Sequence, residues 1–179
     1  MKKHIKTILI LLAAAAVALL IFLLWPVGKT VHDPGKYLKV NDYTDELLKS
    51  YVGILPERIP DGAEDVEYTY SYHGSGDRSF IVLLSYTADG TLFSSEAERL
   101  GKLAQETRII GGKTYYICAA DDLDEFFNDE ILDGFSFKIE VAVLDDNDNS
   151  ITYLVSDCQD NLGRPWDIEN VLLPIYCNK

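Results

Sequence analysis

A run of nineteen uncharged residues, Thr7 to Trp25 (TILILLAAAAVALLIFLLW), constrains this chain more than any other feature. As a helix rising about 1.5 Å per residue it spans roughly 28 Å, close to the ~30 Å hydrocarbon core of a bilayer. Lys2, Lys3, His4 and Lys6 stand directly before it. A cleaved signal peptide has a shorter apolar stretch, followed by small residues at the cut. Here the run ends in Phe22, Leu23, Leu24 and Trp25, then Pro26, and the Ala13–Ala16 block lies too early. The pattern therefore predicts an uncleaved signal anchor, with Trp25 at the lipid–water interface. The basic tail places residues 1–6 in the cytoplasm and the remainder outside the cell membrane. The anchor is followed by a linker over residues 26–41, rich in proline and glycine, and an extracytoplasmic domain over 42–179.

Net charge is −13 for the whole chain. The anchor and its tail hold three lysines and no acid, so the part beyond Trp25 stands at −16. Nucleic-acid binding needs a basic face, and this domain has the opposite balance. The partners expected are the membrane, through residues 7–25, and another envelope protein. Eleven tyrosines and seven phenylalanines argue for a packed domain.

Hydropathy patterning predicts an α+β fold: a two-layer domain with a mostly antiparallel sheet and its helices on one face. A helix follows Asp42 or Thr44 and ends at Gly53. Val66, Tyr68, Tyr70 and Tyr72 alternate with polar residues, which marks a strand buried on one side. Phe80–Tyr86 is apolar on both faces and completes a hairpin with it. Ser95 and Glu98 resemble a capping box, so a helix is expected over about 94–107. Strands are expected over 114–119, 135–144 and 151–155, with a short acidic helix over 121–134. Trp166 and Val171–Ile175 form an apolar tail that docks on the domain.

Most familiar chemistry is excluded. Gly112-Lys113-Thr114 lacks the earlier glycine and the following helix of a phosphate loop. Asp145, Asn147 and Asn149 match the start of a calcium loop, but Ser150 and Ser156 stand where glycine and glutamate are needed, so a hairpin loop is expected. His73, Ser75 and Asp77 are too close in sequence to converge from separate elements as a triad. The acidic stretch from Asp121 to Asp133 reads as a solvated helix face. No catalytic, cofactor-binding or metal-ligating residue is assigned, and no cofactor is implied.

Two features bear on binding and on cysteine chemistry. The Tyr68, Tyr70, Tyr72 row has the spacing of a stacking platform for a glycan or peptide, and equally the spacing of a core face. Cys118, Cys158 and Cys177 make an odd count. A Cys158–Cys177 disulfide would contribute about 3 kcal/mol by chain entropy; three unpaired thiols are the alternative.

The stretch Ile54–Tyr70, ILPERIPDGAEDVEYTY, with its two prolines leading into an aromatic strand, resembles single-pass, surface-exposed proteins of Gram-positive bacteria. That group has no assigned function, so the resemblance implies location and fold alone. Together these readings predict a non-enzymatic binding or interaction module on the bacterial cell surface. The alternative is a small envelope hydrolase or cell-wall-modifying enzyme that uses carboxylates.

Overall fold

The computed structural model describes residues 14–17, 28–37, 53–74, 78–120, 137–158, 171, 174–175 and 177. Among these residues seven strands form one sheet: β1 (Gly28–Val31), β2 (Glu64–Gly74), β3 (Arg78–Thr87), β4 (Glu106–Ile110), β5 (Lys113–Ala120), β6 (Phe137–Asp145) and β7 (Ser150–Cys158). Their spatial order is β1-β2-β3-β7-β6-β5-β4, and every neighbouring pair is antiparallel. The mostly antiparallel α+β architecture expected from the pattern is thus present.

The β2–β3 hairpin holds one register from Glu67↔Ser85 to Gly74↔Arg78. Nearer its start, the register slips between Glu64 and Glu67, where Asp65 takes a left-handed φ of 49°. β6 and β7 join through the polar Asp146–Asn149 turn. Gly111 and Gly112, with φ of 59° and 82°, make the tight β4–β5 turn, which demands left-handed backbone.

The helix α1 (Gly90–Leu103) packs on one face of the sheet. It starts four residues earlier than the capping-box reading implied. The carboxylate of Asp89 accepts from the backbone N–H of Thr91 and Leu92 at 2.9 and 2.8 Å, so aspartate is the N-cap rather than Ser95. The helix also stops earlier, at Ala104, because the chain turns at once into β4. β4 overlaps the end of the expected helix at Glu106 and Thr107 and was not expected as a strand, and β1 lies inside the expected linker.

Alternation divides the interior in two. Tyr68, Tyr70, Phe80, Val82, Leu84, Tyr86, Leu144, Ile151, Tyr153 and Val155 point to the α1 side, where Phe93 and Leu100 of the helix and Ile54 and Leu55 of the preceding loop cover them. Ile81, Tyr115, Ile117, Ile139, Val141, Val143 and Leu154 point the other way and form a second cluster with Ile175. Val171 and Ile175 are helical, so a helical piece of the tail packs on the face opposite α1. The expectation of helices on one face alone is corrected by this second layer. Its cause is that the central strands are apolar on both sides and both faces need cover. Docking of the tail is seen at Val171 and Ile175.

The expected helices over 42–52 and 121–134, and Trp166, lie outside the described residues. Residues 14–17 are helical, and the rest of the 7–25 run lies outside the described set. Among the described residues no helix is long and apolar enough to cross a membrane.

Candidate functional site

Two tyrosines of the row, Tyr68 and Tyr70, go to the interior. Tyr68 and Tyr70 are 3% and 2% exposed, and the Tyr37 ring meets Tyr68 edge-on at a centroid distance of 5.5 Å. These two rings are core and offer no open stacking surface. The Tyr72 backbone pairs with Phe80, and its side chain lies outside the described residues. Cys177 is an exposed free thiol, and the side chain of Cys158, at the end of β7, lies outside the described residues. Cys118 is a half-buried free thiol whose pKa is raised by burial and then by Glu140, which holds it in the unreactive protonated form.

The chief polar constellation of the interior was not foreseen. Glu96, on the buried stripe of α1, is only 7% exposed. Its carboxylate accepts a short hydrogen bond from the Tyr153 hydroxyl of β7 and another from Arg99 Nη2, one turn further along the helix. Arg99 Nε adds bonds to both carboxylate oxygens at 3.0 Å. The Tyr86 and Tyr153 hydroxyls lie 3.0 Å apart, extending the chain of bonds to β3. Arg99 also donates to the carbonyls of Gly53 and Ile54, at 3.0 and 2.5 Å. Tyr37 donates to the Pro56 carbonyl at 2.7 Å. The cluster therefore ties the helix, two strands and the 53–56 loop into one unit, with its charges satisfied internally. It holds the fold together.

A sequence signal for it existed. Glu96 falls three residues after Phe93 and four before Leu100, on the apolar stripe itself. A carboxylate there needs a cation or hydroxyl partner, and Arg99 lies at the right helical spacing.

Burial is the main cause that raises the phenol pKa at Tyr37, Tyr86 and Tyr153; Tyr86 is pushed up to about 12, and the other two go well beyond the ordinary range. A group whose folded pKa is raised contributes stability below its unfolded value, here about 10. That stability is lost as pH rises from there through the folded value. An ultraviolet difference titration should therefore show these three phenols still protonated at a pH of about 11, with their ionisation appearing only as the protein unfolds. Ionisation of all eleven tyrosines at about pH 10 in folded protein would refute the packing.

Two further acids are buried at one end of the α1-side face. Glu140 on β6 is 8% exposed and Asp157 on β7 is 9% exposed, and Lys138 lies directly across from Asp157. Lys138 Nζ meets Glu140 Oε1 at 2.6 Å. At the β6–β7 turn, Asp145 accepts from the Asn147 backbone N–H at 3.0 Å and pairs with Lys113 at 3.0 Å. Those two partners hold its carboxyl below the usual range. Asn149 takes a left-handed φ of 53° and Asp148 accepts from the Ser150 N–H, so the oxygens of this loop serve its own turn. Among the described residues no group of three or more His, Cys, Asp or Glu side chains is placed to hold a metal ion.

The outermost strand, β4, carries the most exposed large apolar side chain among the described residues, Ile109 at 78%. It shares the α1 side with Thr107, since Thr107 and Ile109 pair with Tyr116 and Thr114. Glu106 and Arg108 point to the opposite face. There Arg108 Nε meets Glu106 at 2.6 Å, and Arg108 Nη1 donates to the Ile175 carbonyl at 3.0 Å. Comparison with protein-family models, curated proteins and solved structures finds no match to this chain.

Proposed function

We propose that this chain is a single-pass, membrane-tethered interaction module whose domain lies outside the cell membrane and binds another envelope protein through the far edge of its sheet. The observation that carries this reading is the placement of the two sheet edges. β1 begins three residues after Trp25, so the apolar run hands directly into one edge. β4 forms the other edge, six strand spacings or about 29 Å away, and bears the exposed Ile109. A domain tethered by β1 keeps β4 free to meet a partner. Such edges accept strands readily, because their outward N–H and C=O groups lack a protein partner.

The alternative, a small envelope hydrolase, draws on Glu140 and Asp157, two buried acids on adjacent strands. Lys138 already neutralises Glu140, and the raised thiol of Cys118 supplies no nucleophile. The interaction reading is therefore preferred.

Membrane fractionation and surface proteolysis of intact cells, with a tag at the C-terminus of the full chain, test it. The tag is expected to stay with membranes and to be shaved from outside. A tag free in the medium would show cleavage after the apolar run, and a protected tag would place the domain in the cytoplasm. Either result overturns the tethered surface module.

A further inference from the structure

We propose that the partner met by β4 is a second copy of this chain, paired antiparallel with β4 about a two-fold axis at Thr107. The inference rests on the reading of the domain as an interaction module and names its partner. Among the described residues, no strand pairs with β4 on the side away from β5. The edge is self-complementary in one register. With Thr107 opposite Thr107, Glu106 of each copy lies directly across from Arg108 of the other, so two opposite-charge cross-strand pairs form at once. Centring the axis on Glu106 or on Arg108 sets like charges face to face, which is destabilising.

The same register places Ile109 across from Gln105 of the second copy, two residues from that copy's Leu103. Leu103 and Ile109, at 40% and 78%, are the exposed large apolar side chains of the described residues beyond Val17. Ile109 is therefore brought to the seam, and Leu103, at the end of α1, closely precedes the strand that forms it. The copies are acidic, but the corner is locally balanced: Lys102 pairs with Glu98 at 2.6 Å and Lys113 with Asp145 at 3.0 Å. Pairing of two five-residue strands is a small contact. Confinement of both chains to one membrane raises their effective concentration, so a weak isologous contact suffices.

The test uses full-length chains in membranes, with two different C-terminal tags co-expressed and mild crosslinking read by co-purification. Glu106→Arg alone, on both tagged chains, is expected to lower self-association roughly tenfold, because two attractive pairs become repulsive. Arg108→Glu alone is expected to do the same. Co-expression of one chain bearing Glu106→Arg with one bearing Arg108→Glu restores association. The first chain is then basic at both positions and the second acidic at both, so each cross-strand pair again joins opposite charges. The Glu106–Arg108 pair within each strand is broken in both variants, so recovery reports the contact between chains.

Arg108→Glu also loosens the tail at Ile175, and a second variant guards against misfolding. Thr107→Cys, in a chain that also carries Cys177→Ser, should form an inter-chain disulfide under mild oxidation, while Asp61→Cys in the same background should not. A wild-type chain that does not self-associate, or a dimer indifferent to residues 106–108, overturns the β4 seam. Either result leaves the surface-module reading standing, because that reading fails only in the topology experiment.

Discussion

Replacing Glu96 with alanine is expected to destabilise the domain by about 2–3 kcal/mol, read as a fall in the denaturant midpoint at unchanged slope. The substitution removes the acceptor for the Tyr153 hydroxyl and for three Arg99 bonds, and leaves both donors beneath or beside α1. Breaking a buried pair by deleting one partner reaches about 3–5 kcal/mol. The lower figure applies because about a third of the Arg99 side chain is exposed, so water compensates part of the loss. Tyr153→Phe should cost about 1 kcal/mol, since it deletes one hydroxyl and keeps the ring in place. The Glu96→Ala and Tyr153→Phe effects should fall short of additivity, because the two groups share one bond. A Glu96→Ala cost below about 0.5 kcal/mol would show that the cluster is not held together in solution.

Phe80→Ala is expected to be the most damaging single truncation, at about 3–5 kcal/mol. Phe80 has no exposed surface and lies on β3, between β2 and β7 near the centre of the sheet. Its backbone carbonyl also receives the hydroxyl of the buried Ser156 at 3.3 Å. The neighbouring strands are themselves paired on their far sides and cannot collapse into the space left by the ring. Ile109→Ala, on the edge strand, should change stability by no more than about 0.5 kcal/mol. The contrast separates the core from a side chain that its own chain leaves uncovered, and a denaturation series on the two variants measures it. Equal losses at both positions would mean that Ile109 is packed within its own chain.

Local pattern made much of the fold legible. Strict alternation from Val66 to Tyr72, followed by a doubly apolar Phe80–Tyr86, points to a hairpin between a one-sided and a two-sided strand, and β2 and β3 form that hairpin. Gly111-Gly112 and the polar residues after Asp145 mark turns, because left-handed backbone and side-chain-to-backbone bonds are needed there. The two strands missed, β1 and β4, are four and five residues long. A segment so short carries too few residues to show a period, and pairing with a neighbour is what makes it a strand. The site was less legible than the fold. Tyr68 and Tyr70 have a spacing that fits a platform or a core, and only the position of Tyr37 and the 53–56 loop above them decided for the core.

The chain's own sequence determined the uncharged Thr7–Trp25 run, the acidity beyond it and the central strands, because each of these is a property of neighbouring residues. Tertiary structure alone decided which acid goes inside, which face Ile175 covers and which strand is left at the edge. The reason is that burial and strand order depend on contacts between distant segments. Glu96 meets Tyr153 across fifty-seven residues, and Arg108 meets Ile175 across sixty-seven. No local period records such meetings, since the free energy that enforces them arises only when the two segments exclude water together.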